Sequence, residues 1–126
     1  ELAGIVGKES LSMDEMIQEG KKLVQKGIQL VLISRGAEGS ILLTGAHTYV
    51  AEGLKVPVRS TVVAGDAMVA ALTFGLEMNM SPKEMLTFAQ ASGAAAVMKE
   101  GTQAATKEEI YAHLKEAERK IKEWNK

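Results

Sequence analysis

The run Ile28-Gln29-Leu30-Val31-Leu32-Ile33 constrains this chain more than any other stretch. It is short, almost continuously apolar and rich in branched side chains, the pattern of a strand covered on both faces. A strand so apolar cannot stand at the open edge of a sheet without inviting aggregation. Something must cover it, and the segments around it are mostly helical. Before it, Ser12-Met13-Asp14-Glu15 fits a capping box, with Met16, Ile17, Leu23 and Val24 following at helical spacing and Gly27 closing the helix. After it, Arg35-Gly36-Ala37-Glu38-Gly39 reads as a turn into a second strand at 41–43. Gly45-Ala46 turns the chain again into a strand over 47–51, and a further strand is expected over 54–58. Pro57 would hold that last strand to an edge, because proline has no N–H to donate to a ladder.

The second half is helical. One helix is expected from about Gly65 to Met78, and a second starts at Ser81-Pro82-Lys83-Glu84. That start combines a Ser cap, Pro at the first helical position and Glu at the capping-box position. It runs through Met85, Leu86 and Phe88 into Ala89-Gln90-Ala91-Ser92-Gly93-Ala94-Ala95-Ala96, small enough to approach another element closely. Thr106-Lys107-Glu108-Glu109 caps a last helix with a charged outer face. Helix, strands and then helices indicate an α/β layered domain. With 126 residues there is room for one.

Composition narrows the function classes. Hydrophobic residues make up 46% and charged residues 25%, as in a soluble globular protein. A formal net charge of −1 gives no broad electrostatic case for nucleic acid or an anionic membrane. No apolar run is long enough to span a bilayer. The absence of Cys removes disulfides, zinc-thiolate sites and thiol nucleophiles. The first residues lack the pattern of a signal peptide and an initiator Met, so the expectation is a cytoplasmic protein with a processed or truncated start.

Three segments carry candidate chemistry. Thr61-Val62-Val63-Ala64-Gly65-Asp66 stands where strands give way to an apolar helix. Unpaired amides and the positive dipole end favour an anion there. Asp66 beside them reads either as a general base or as a plain helix cap. Ser34-Arg35-Gly36-Ala37-Glu38-Gly39 reads either as a glycine loop that brings backbone close to a ligand or as a hairpin turn. The small-residue run at 89–96 reads either as one wall of a slot for a planar base or as close packing. The seven Met residues are mostly at core spacing. His47 and His113 have no partners at metal spacing, and Trp124 is expected to dock on the surface or fray. There is no Ser-His-Asp pattern and no G-x-x-x-x-G-K-[ST] loop.

Together these segments resemble one family. Thr61-Val62-Val63-Ala64-Gly65-Asp66-Ala67-Met68-Val69-Ala70 is similar to the C-terminal signature of PfkB (ribokinase-like) sugar kinases, T-x-G-A-G-D followed by an apolar helix. Ser34 to Gly39 resembles the family's S-x-G-x-x-G nucleotide loop, and Glu1-Leu2 resembles the end of its N-x-x-E-L motif. Ser60-Thr61 and Met68-Val69-Ala70 look most like the 1-phosphofructokinase and tagatose-6-phosphate kinase branch. The resemblance covers this whole chain but only the C-terminal part of the family. It implies the C-terminal part of a ribokinase-like three-layer α/β/α domain with an incomplete sheet, the sugar-phosphate site lying in the remaining portion.

Carried over residue by residue, the resemblance makes Asp66 the base that deprotonates a sugar hydroxyl. Ala64 and Gly65, with the Asp66 amide, form the anion hole. Ser34, Arg35, Gly36, Ala37, Glu38 and Gly39 line the ATP site, Ala91, Ser92 and Gly93 sit near adenine, and Glu1 places Mg²⁺ through water. ATP, Mg²⁺ and a hexose phosphate (fructose 1-phosphate, fructose 6-phosphate or tagatose 6-phosphate) are the ligands implied, with a homodimer left open as the assembly. One departure stands out. Val63 occupies the first Gly position of G-A-G-D, and a β-branched residue resists conformations that Gly reaches. That implies a reshaped anion hole, and a non-catalytic nucleotide-binding or structural remnant is the alternative reading.

Overall fold

A computed structural model describes residues 12–101 and 103–124, together with the backbone of residues 2–6. Five strands form one sheet in the order β1 (Leu2–Val6), β2 (Leu30–Ser34), β3 (Gly39–Leu43), β4 (Thr48–Glu52) and β5 (Ile121–Glu123). Strands β1 and β2 are parallel, with Leu2 opposite Leu30 and Val6 opposite Ser34. The remaining neighbours are antiparallel. The helices are α1 (Met13–Gln25), α2 (Ala64–Glu77), α3 (Pro82–Val97), α4 (Lys107–Tyr111) and α5 (Leu114–Arg119).

Side-chain alternation along β2 and β3 divides the core in two. Val31, Ile33, Ile41 and Leu43 point to one face and pack with Met16 and Ile17 of α1. Leu30, Leu32 and Leu42 point to the other and pack with Met68, Leu72, Met85 and Leu86 of α2 and α3. The result is three layers, helix, sheet and helices. The continuous apolarity of β2 is thereby explained: alternate residues serve different cores, and β1 covers the edge that looked exposed.

Several expectations need correction. No strand forms at 54–58. The place beside β4 is taken by β5 instead, and the segment with Pro57 carries the chain from the sheet to the start of α2. His47 falls just before β4 rather than inside it. The last helix is two short ones, α4 and α5, and the break brings Ala117 into the core and Ile121 onto the sheet. Trp124 does dock: its amide donates to the Thr48 carbonyl at 2.7 Å and its ring packs on the α1-side core. Among the described residues no helix is long and apolar enough to cross a membrane.

Candidate active site

The chain reaches α2 along a tethered path. The amides of Arg59 and Ser60 both donate to the Val97 carbonyl, at 2.7 and 3.1 Å, which ties the segment to the end of α3. Ser60 Oγ accepts from the Val62 amide at 3.2 Å. Val63 then occupies the cap position with φ −109° and ψ 6°, and its side chain supplies no capping bond. That negative φ is open to valine, so this turn does not demand glycine at position 63. Asp66 is the third residue of the helix rather than its cap, and its carboxylate is exposed. Among the described residues the amides of Gly65 and Asp66 have no hydrogen-bond acceptor. A Cβ added at Gly65 would meet no atom within 4 Å, so the helix start is open on that side. Two free donors at a positive dipole end accept an anion, and the adjacent carboxylate can take a proton.

Strand β2 ends at Ser34, and a single 3₁₀ turn, Gly36–Glu38, leads into β3. The turn needs its glycines, since Gly36 has φ +61° and Gly39 φ +116°. It is also pressed against the end of β4. A Cβ on Gly39 would lie 2.0 Å from the Ala51 carbonyl oxygen, and one on Gly53 would lie 1.9 Å from that of Ala37. The Gly53 amide donates to the Glu38 carbonyl at 3.0 Å. Arg35 Nη2 donates to the carbonyls of Glu38 and Ala51, at 3.0 and 3.2 Å. The outer residues Gly36, Ala37 and Glu38 stay exposed. This is a rigid loop with a free rim.

Helix α3 brings the loop and the Asp66 turn to the same end of the molecule. Gln90 bonds to Ser40, next to Gly39, and to the Glu52 carbonyl. One turn further on, Gly93 lies against α2, where an added Cβ would be 3.0 Å from Met68 Cγ and 4.0 Å from the Ala64 carbonyl oxygen. The ends of the parallel strands at Val6 and Ser34 mark this edge, where open α/β sheets bind ligands. Ala91, Ser92 and Gly93 are buried, in keeping with close packing of α3. Glu1 lies outside the described residues. Among the described residues no cluster of three or more His, Asp or Glu is placed to hold a metal.

Sequence reasoning passed over Ser40, Gln90 and Gly53. The signal for the first two was a polar residue inside an otherwise apolar strand and a small-residue helix. A groove of about 430 Å³ lies elsewhere, among Phe74, Met80, Phe88, Tyr111 and Leu114. Phe74 is eight residues along α2 from Asp66, about 12 Å at the helical rise.

Fold and helix start define an α/β protein in which two free amides and an exposed carboxylate stand at the start of α2. The family follows from comparison: residues 1–109 match the pfkB family carbohydrate kinases, and the chain belongs to that family. It is 42% identical over 98 residues to a 1-phosphofructokinase of Haemophilus influenzae, covering 77% of this chain and 31% of that protein. It is 38% identical over 94 residues to a D-tagatose-1-phosphate kinase of Bacillus licheniformis, covering 75% and 31%. The fold, the C-terminal part of a ribokinase-like domain, matches phosphofructokinase-2 from Escherichia coli crystallised with substrates and products. That match has a TM-score of 0.86 and 26% identity, over 93% of this chain and 41% of the other. The chain therefore spans about a third of the length of the curated relatives it matches.

Proposed function

We propose that residues 1–126 are the C-terminal, nucleotide-binding part of a cytoplasmic kinase domain that transfers phosphate from ATP to a hexose phosphate. The observation that carries this reading is the start of α2, where Asp66 stands exposed beside the unpaired amides of Gly65 and Asp66. Bound MgATP supplies the phosphoryl group and neutralises part of its charge. The open space over Gly65 fits an anionic phosphate, and Ala64, Gly65 and the Asp66 amide would hold the charge that builds on it. Asp66 would take the proton of the attacking sugar hydroxyl. The exposed rim of the loop at Gly36, Ala37 and Glu38 would lie along the nucleotide, and buried Gly93 would set the wall behind it. Glu1 would help place Mg²⁺ through water. Fructose 1-phosphate, fructose 6-phosphate and tagatose 6-phosphate are the candidate acceptors, with their determinants outside this segment.

In the intact enzyme, Asp66→Asn should lower kcat by about a hundredfold or more while ATP affinity holds. Unchanged turnover would sink the assignment. The 126-residue chain alone should not phosphorylate sugar, and robust turnover by it would count against the division of labour proposed here.

Val63 favours a second reading, a non-catalytic nucleotide-binding or structural remnant of a sugar kinase. Val63→Gly in the intact protein separates the two. Because the Val63 backbone is already in a conformation open to valine, a working kinase should change by no more than about threefold. A large gain from an inactive parent would instead mark Val63 as the lesion.

A further inference from the structure

A buried side-chain hydrogen bond joins β3 to α3. Ser40 is fully buried and Gln90 nearly so, beside a cluster of buried Leu, Ile, Met and Ala side chains. Ser40 Oγ donates to Gln90 Oε1 at 2.6 Å, and Gln90 Nε2 donates to the Glu52 carbonyl at 3.2 Å. The amide cannot be turned the other way round, because the Glu52 carbonyl only accepts and must face a donor. Two apolar side chains would fill this space without the desolvation cost of a buried hydroxyl and amide. What the polar pair adds is direction: it holds α3 in one register against both β3 and β4.

That register has consequences at the site. The loop from Ser34 to Gly39 is already one body with the end of β4, through Arg35, the Gly53 amide and the close approach of Gly39 to Ala51. Gln90 ties this body to α3. One turn later Gly93 lets α3 pack closely on Met68 of α2, the helix whose first turn bears Asp66. We infer that Gln90 is a positioning residue: through Ser40 and the Glu52 carbonyl it sets the place of the nucleotide loop relative to the Asp66 turn. It touches no ligand itself. The inference rests on the nucleotide reading of the loop given above.

The test uses the intact enzyme and three measurements: thermal midpoint, KM for ATP and kcat. Gln90→Leu should lower the midpoint and raise KM for ATP about fivefold, with kcat within about twofold, since the loop shifts while the base stays. Ser40→Ala, a milder change that keeps the bond to Glu52, should raise KM by a smaller factor and serves if Gln90→Leu does not fold. The double variant Ser40→Ala/Gln90→Leu makes the pair wholly apolar. It removes the unpaired Ser40 hydroxyl but leaves the Glu52 carbonyl without its Gln90 donor, so it should recover part of the midpoint and keep the raised KM, a split that a merely structural pair would not produce. Recovery of KM together with the midpoint overturns the inference, as does an unchanged KM in both single variants. A parent enzyme that binds no MgATP overturns the nucleotide reading and this inference with it, whereas a parent that binds and turns over MgATP while its variants keep their KM overturns the inference alone.

Discussion

Glycines 39 and 65 show how differently two residues of the same type can be constrained. Gly39 combines φ +116° with a backbone oxygen 2.0 Å from where its Cβ would be. Gly39→Ala should therefore cost about 3 kcal/mol or more, from left-handed strain and the forced separation of the loop from β4. Gly65 lies in the first turn of α2, outside the left-handed region, with no atom near its would-be Cβ. Gly65→Ala should raise stability by about 0.5 kcal/mol by restricting the unfolded chain. Yet its methyl would project into the open space at the helix start, where the proposed phosphate site lies, so affinity for MgATP should fall. Urea midpoints and nucleotide titration on the two variants test both halves. A Gly65→Ala protein that is steadier but binds nucleotide as well as its parent would move the phosphate site away from this turn. Asp66 belongs to the same scale: spacing left it between cap and base, and its position as third helical residue removes the cap reading.

Among the elements, the helix starts were the most legible. The boxes at Ser12/Glu15, Ser81/Glu84 and Thr106/Glu109 all form with both bonds in place. Each depends on residues three apart, so sequence alone suffices. They also make the fold acid-sensitive. Bonds from the Ser12 amide and hydroxyl hold the Glu15 carboxyl below its ordinary value, and those of Ser81 do the same for Glu84. The Lys99 ammonium at 2.8 Å, followed by the Thr106 amide, lowers Glu109 from 4.5 to about 2. A carboxylate whose pKa is depressed by folding contributes stability above its unfolded value and loses it as pH falls through the folded one. Stability should thus decline from about pH 4.5 towards pH 2, measured as the urea midpoint. Glu109→Gln should flatten the lowest part of that decline. Where the sequence misled, the decision was non-local. Nothing near residues 54–58 announces that Ile121 will pair with Ala51 and leave Pro57 outside the sheet. Nor does the charged pattern after Thr106 show that the helix breaks between Tyr111 and Leu114.

At the scale of the whole molecule, one sheet separates two cores, and Trp124, the sole tryptophan, packs on the α1 side. Leu72 is fully buried on the other side, so Leu72→Ala should cost about 2–5 kcal/mol. Because β2 and β3 contribute side chains to both cores, the loss should be felt across the sheet. Trp124 fluorescence and backbone circular dichroism should shift to the same lower midpoint, and separated transitions would show that the layers unfold independently. Local order of residues decided much here: the buried apolar strand, the helix starts, the two glycines of the loop and the place of Asp66 at a helix entrance are all encoded within a few positions of one another. Only the folded chain could show that β1 covers β2, that β5 displaces the expected strand, and that Ser40, Gln90 and Gly93 bring the loop and the Asp66 turn to one edge. Those outcomes rest on contacts between residues up to 74 positions apart, whose closure entropy is offset only when the entire core assembles.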